Sequence, residues 1–362
     1  MLRNLLLTAL CVALLASAAS AQVPSSPKLT PAPSTEEQKR LIDEGVQLHD
    51  RQDYDAAIRK YEEVLKANPD NVSAMYEMAY SLSEKKDYKK SLEVAQRGAQ
   101  YKADLLVGFY LLIGNDLDLL EEPKKAQDVY KAGMKLFPTN SLLYYNMAVS
   151  LHNAGKPEEA RENLKKALAY NPEHTTSHIV LAQIYFNANY KTPALLAALR
   201  FLVLEPNSNR SGAAIKIMRS VLQGGASQGK TEKDINIFVD MSAKKDEGDF
   251  GGVDLMLGMT KALGMSEKNK GKSEMQLFVE QVDTVLAILA EQDPKLFRTK
   301  FVGQYYVPYF AELQKRKLVE PFCYYILQAE GRSDVQAWLK EHSAQVAEFL
   351  AWSKNYRWAK PV

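Results

Sequence analysis

An all-α fold is predicted, a superhelix of about five helix–turn–helix repeats followed by a helical C-terminal region. Three features predict it. Pro138, Pro172 and Pro206 fall 34 residues apart, and Pro69 precedes Pro138 by two such steps plus one residue, with Ala103 where the middle proline would stand. Each unit holds two apolar stripes of helical period, parted by a short polar turn: Arg51-Gln52-Asp53, Lys85-Lys86-Asp87, Ala154-Gly155-Lys156 and Ala188-Asn189-Tyr190. Small side chains recur at the eighth and twentieth places of each unit, where two helices crossing closely leave no room for more.

The units take the same pattern in turn. Residues 38–71 place Leu41, Gly45 and Leu48 on the packing side of the first helix, and Ala57, Tyr61 and Pro69 on the second helix and its closing turn. Residues 72–106 offer Met75, Ala79, Leu82, Ser91 and Ala95, and residues 107–140 offer Tyr110, Gly114, Leu117, Ala126, Tyr130 and Pro138. Residues 141–174 supply Tyr144, Ala148, Leu151, Ala160, Leu164 and Pro172, and residues 175–208 supply His178, Ala182, Tyr185, Ala194, Ala198 and Pro206. The proline stops the second helix and turns the chain into the next unit. These residues resemble the tetratricopeptide repeat (TPR) over residues 36–208, about half the chain, although the tryptophan usual at the fourth place is absent.

The resemblance implies a stack of helix pairs whose first helices line a concave face. Counting from the packing positions, that face is expected to expose Ile42, Val46, His49, Tyr76, Tyr80, Leu111, Asn115, Tyr145, Asn146, Val149, His152, Ile179 and Gln183. Tyrosine combines a flat apolar body with a polar tip, which suits recognition of a peptide or helix. The alternative is that the C-terminal half of the chain covers part of this face. Repeats of this kind that clamp a terminal carboxylate use lysines along the groove; here those lysines are missing and only Asn115 and Asn146 match. Capture of an acidic tail is therefore not expected.

Ahead of the repeats, Arg3, an apolar run from Leu5 to Ala18, and Ala19-Ser20-Ala21 read as a signal peptide of residues 1–21, cleaved near Ala21. The run is short for a membrane span of about 20 residues, so a soluble protein, periplasmic or secreted, is expected. Residues 22–35 form a Pro/Ser-rich spacer, and Thr35 with Gln38 reads as the capped start of the first helix. The chain carries 46 Lys+Arg against 44 Asp+Glu in 362 residues, a near balance that argues against a nucleic-acid surface. Two cysteines exclude a disulfide framework; Cys323, flanked by Phe322 and Tyr324, reads as buried.

Residues 209–362 are read as a helical C-terminal region. Helices are expected over 211–222, 231–245, 274–292, 335–341 and 344–356, with turns at 246–252 and 264–271. Several motifs are weighed against plainer readings. Gly224 to Thr231 matches the phosphate-loop pattern, but a helical segment precedes it and no strand–helix alternation surrounds it, so an interhelical loop is expected. His174 and His178 have zinc-ligand spacing, yet His178 fills a packing position and no third ligand is evident. Cys323 with His342 lacks an orienting group, and Lys315-Arg316-Lys317 reads as a solvated helix face. The reading is an exported binding module for a protein or peptide, without catalysis, cofactor or metal. An enzymatic or ligand-binding C-terminal domain, with its pocket between Gly224–Thr231 and the aromatic C-terminus, is the alternative; self-association is a third.

Overall fold

The computed structural model describes residues 26–230, 234–238, 245–266, 269, 271–296 and 299–359. The expected signal peptide lies outside the described residues. The chain divides into two compact units, one ending at Leu136 and one beginning at Phe137.

In the first unit six helices form three pairs: α1 (Glu36–Asp50) with α2 (Tyr54–Ala67), α3 (Val72–Glu84) with α4 (Tyr88–Gly98), and α5 (Leu106–Leu119) with α6 (Pro123–Leu136). Thr35 caps α1 as expected, its hydroxyl accepting from the Gln38 amide while the Gln38 side chain accepts from the Thr35 amide. Asp53, Asn71 and Asn140 cap later helices in the same way. The first helix of each pair ends in a residue of left-handed conformation, Gln52, Lys86 or Glu121, which reverses the chain into the second helix.

The crossing of the paired helices is set by side-chain volume. A Cβ placed on Gly45 would lie 2.4 Å from the Tyr61 ring, and one on Gly114 would lie 2.2 Å from the Tyr130 ring. In the pair between them, Ala79 replaces the glycine and Ala95 replaces the tyrosine, both fully buried. A larger side chain on one helix is thus matched by a smaller one on its partner.

The Pro/Ser-rich spacer is extended, as expected, but its described part is not free of the repeats. Leu29 bridges Tyr101, with Lys28 and Leu29 donating to the Gln100 carbonyl and Lys102 donating to Leu29. Ala32 donates to Asp70, and Asn71 donates to the Ser34 hydroxyl. The inter-repeat turns present unpaired backbone groups, and this segment satisfies several of them.

The second unit continues the pairing with α7 (Ser141–Asn153) and α8 (Pro157–Tyr170), then α9 (Thr175–Asn187) and α10 (Lys191–Leu204). Here Ala148 faces Leu164 and Ala182 faces Ala198, all fully buried. A further helix, α11 (Ser211–Leu222), packs on α10 as an unpaired first helix. The helix expected over 231–245 gives way to a hairpin. Ala226–Gln228 (β1) pairs antiparallel with Ile235–Ile237 (β2), because the β-branched isoleucines favour extended backbone. The rest of that expected helix, residues 231–233 and 239–244, lies outside the described residues.

Six helices complete the unit: α12 (Gly251–Gly264), α13 (Glu274–Glu291), α14 (Phe301–Lys315), α15 (Val319–Ile326), α16 (Ser333–Glu341) and α17 (Ser343–Asn355). Of these, α12, α14 and α15 pack on α10, whose residues from Thr192 to Val203 are all buried. Its Arg200, 2% exposed, lies against the rings of Tyr309 and Trp358 and donates to the Ser353 hydroxyl at 3.2 Å. Arg161 of α8, 7% exposed, ion-pairs with Glu158, Asp246 and the buried Glu247 at 2.7, 2.8 and 3.0 Å.

The volume matching predicts coupled effects. Gly45→Ala should cost about 1–3 kcal/mol, the usual penalty of overpacking. In a Tyr61→Leu background the same change should cost much less. Denaturant melts of the four proteins in this double-mutant cycle check it, and additive losses would exclude the volume argument.

Candidate functional site

On the first unit the expected face is an aromatic ladder. His49 closes α1 and stacks on Tyr80 of α3, ring centroids 4.8 Å apart, and its Nδ1 lies 2.8 Å from the Ser81 hydroxyl. Tyr54, at the start of α2, meets the other side of His49 edge-on at 5.2 Å. Tyr76 stands one helical turn before Tyr80, near-parallel to it at 6.5 Å, and meets Phe109 edge-on at 5.4 Å. Gly108 makes room for Tyr76, since a Cβ there would come within 2.7 Å of its ring. Tyr80 is 41% exposed, an unusual state for so large a ring. Leu111 is half-buried and Asn115 exposed on α5, where Asn115 accepts from the Tyr130 hydroxyl at 2.8 Å.

Ile42 is the correction on this face. It is only 8% exposed and belongs to a core cluster with Ala57, Tyr61 and Val64 of α2 and Ala74 of α3, so the following repeat contributes to its cover. Val46 packs partly against the same cluster.

Sequence reasoning missed the charges around the ladder. Asp50 ends α1 directly after His49, Glu77 follows Tyr76, and Glu84 lies one turn past Tyr80. Burial, then the Glu77 charge, raises the Tyr76 hydroxyl; burial, then Glu84, raises that of Tyr80, with Glu77 and Asp50 adding to it. Glu77 is itself pushed up by burial and by Asp50. The signal was available: Asp50 and Glu84 are 34 residues apart and so hold equivalent places in successive repeats.

In the second unit the first-helix faces of α7 and α9 carry Tyr145, Asn146 and Val149, all half-buried, and the exposed His152. Tyr145 meets His174 edge-on at 4.7 Å, and both feel the charge of Arg210, which is held by Glu205. Ile179 is half-buried; Gln183 is exposed and donates to Asn187 at 2.7 Å. The C-terminal helices pack on α10, the second helix of its pair, and leave Gln183 and Phe186 of α9 exposed.

The remaining motifs take structural roles. Gly224 follows the end of α11; Gly225 has φ +80°, and a Cβ on it would sit 2.9 Å from the Gly258 Cα, so Gly225 serves a close approach to α12. The Gly229 amide donates to Asp234 at 2.6 Å and the Gly225 carbonyl accepts from Phe238 at 2.8 Å, in a helix-to-hairpin turn. A phosphate loop requires strand, loop and helix in that order. Lys230 is exposed, and Thr231 lies outside the described residues. A cavity of about 250 Å³ beside Gly224 and Gly225 is lined by Phe186, Lys191, Ser220, Asp254 and Leu257, and by none of the C-terminal aromatics. That is small for a ligand pocket, about 300–1,000 Å³ being usual.

His178 is fully enclosed: its Nε2 donates to the Pro172 carbonyl at 2.9 Å and its Nδ1 accepts from the Tyr306 hydroxyl at 2.8 Å. His174 instead meets Ser177. Cys323 is buried, which pushes its thiol well up, while His342 stacks on Trp338. Arg316 of the basic run pairs with Glu312. Among the described residues no group of three His, Cys, Asp or Glu is placed to hold a metal, and no helix is long and apolar enough to cross a membrane.

Residues 43–104 and 141–174 match family models described as tetratricopeptide repeat. The first match falls on α1 to α4 and the second on α7 and α8. No curated protein matches the chain. Among solved structures, the TPR protein TTC0263 of Thermus thermophilus is 21% identical, covering 51% of this chain and 99% of its own, with a TM-score of 0.42. MamA of Desulfovibrio magneticus RS-1, from its residue 41 onward, is 18% identical over 52% of this chain and 98% of its own, with a TM-score of 0.40. YrrB, described as a TPR protein with an unusual peptide-binding site, is 16% identical over 50% and 92%, with a TM-score of 0.38.

The enclosed histidine has a measurable signature. Burial, then the Arg200 charge, lowers His178 from 6.5 to about 3, with the Pro172 carbonyl partly opposing. The neutral ring therefore contributes stability that is full above pH 6.5 and is lost as pH falls toward 3, at up to about 1.4 kcal/mol per pH unit. Thermal melts between pH 7 and 4 should fall less steeply for His178→Gln, by about one proton's slope. Parallel curves for the two proteins would exclude a buried neutral histidine.

Proposed function

We propose that this chain is a protein-interaction module that grips a peptide segment of a partner along the first helices of its repeats. The observation that carries the reading is the ladder Tyr54–His49–Tyr80–Tyr76, stacked and edge-to-face, with Tyr80 41% exposed and no core to fill. Rings fixed against one another lose little side-chain freedom when a partner covers them. They also supply the amphipathic area in which binding energy concentrates. Tyr145, Asn146, Val149, His152 and Gln183 lie on the first helices of the second unit, which carries a face of the same kind. With residues 1–21 read as a signal peptide, the module would work in the periplasm or outside the cell.

Affinity capture from the cell envelope, followed by mass spectrometry, tests this. A partner retained by the native chain should be lost with Tyr76→Ala/Tyr80→Ala, each anchor being worth about tenfold in affinity. Melting temperatures measured alongside should show the variant folded. Undiminished capture by the folded variant would exclude this face as the binding site.

A further inference from the structure

We propose that the aromatic face of the first unit selects a cationic segment, one whose lysine or arginine side chains lie over Tyr76 and Tyr80 and end against Asp50, Glu77 and Glu84. The inference rests on the reading of that face as a peptide groove and names the chemistry of its occupant.

Three observations meet here. The charges acting on Tyr76, Tyr80 and Glu77 are all negative: Asp50, Glu77 and Glu84, with no cation among them. None of these three carboxylates has an ion-pair or hydrogen-bond partner among the described residues. The adjacent cations do not neutralise them: Lys85 is held by Asp55, and neither Arg51 nor Lys86 pairs with any of the three. Lastly, Tyr80 leaves 41% of its surface open beside these carboxylates, and an electron-rich tyrosine ring attracts a cation. A half-buried carboxylate beside another carboxylate is a cost to the free protein, which an arriving guanidinium or ammonium removes.

The arrangement also has a direction. Asp50 and Glu84 hold equivalent places in successive repeats, at the ends of α1 and α3, while Glu77 sits about two turns back along α3. Two basic side chains spaced along an extended or helical segment could reach the two ends of the ladder together. An acidic segment would meet like charge at each point and is rejected by the same groups. In the second unit Tyr145 and His174 face the cation Arg210 instead, so the preference is assigned to the first unit's face alone. The whole chain carries a formal charge of only +2, so no general attraction for basic peptides accompanies it.

The test is fluorescence anisotropy on the full chain with a labelled peptide of repeated arginine–alanine–leucine triplets, and with its glutamate and glutamine counterparts. The arginine peptide should bind at least about tenfold more tightly than the glutamate one at about 0.05 M salt. The preference should largely vanish near 1 M, where the screening length is about 3 Å. Asp50→Asn/Glu77→Gln/Glu84→Gln should abolish the preference yet keep binding of the glutamine peptide. Glu77→Gln alone should leave the melting temperature unchanged or higher, as expected when an uncompensated charge is removed. Equal binding of all three peptides, lost in Tyr76→Ala/Tyr80→Ala, would overturn the charge inference and leave the groove. Binding by none would overturn both. A preference that survives the triple neutralisation would place the basic site elsewhere and overturn the inference.

Discussion

Everything in the first unit depends on how closely the two helices of a repeat cross. Where Gly45 and Gly114 remove the side chain, Tyr61 and Tyr130 occupy the space; where Ala79 fills it, Ala95 withdraws. The close spacing at the crossing limits what a pair can hold, and different pairs meet that limit. That spacing fixes which side chains of the first helices turn outward. Tyr76 and Tyr80 are one turn apart on α3, and with the packing side occupied by Met75, Ala79 and Leu82 they are left for the opposite face. The binding surface is thus a by-product of core geometry, held by residues that never touch a partner.

The same logic explains what was legible in the sequence. Helix pairs, turns and packing residues follow from a 34-residue period and a helical stripe, both local, and the helices of the repeats lie where the period places them. Features that depend on distant contacts were not legible. Ile42 carries the outward register of its helix, yet Ala74 of the next repeat shares its core cluster. The proline-rich segment has no apolar stripe to announce packing, but its backbone groups meet the turns at 70 and 100–102. The hairpin of Ile235–Ile237 was hidden because a short apolar run reads equally as helix or strand. Of the glycines that spelled a phosphate loop, Gly229 is required by its close approach to Asp234, which no local pattern encodes.

The second unit shows how a stack of repeats can be ended. An unpaired last helix would leave apolar surface in water, and repeat arrays ordinarily need a polar cap. Here α10 is enclosed by the C-terminal helices, and polar groups are drawn into the junction with it. His178 joins α9 to α14 through Tyr306, Arg200 joins α10 to α14 and α17, and Arg161 joins α8 to the segment at Asp246 and Glu247. Such buried groups add little net stability, since desolvation offsets much of the attraction. Each nevertheless penalises any packing that would leave it unpaired, which favours one register of the cap over its alternatives.

That contrast bears on the first unit. At the junction in the second unit, Arg161 has three carboxylates, and Glu247 has both Arg161 and Lys165. Glu77 is treated differently: half-buried beside Asp50 and the ladder tyrosines, it has no partner among the described residues. Stability alone would favour a glutamine in place of Glu77, or a lysine within reach of it, and the 34-residue repeat offers many positions from which to supply one. Sites that carry strain or unpaired charge are those where binding, rather than folding, completes the interaction. The cost is modest because the face is half open to water, and it falls on groups that point where a partner would lie.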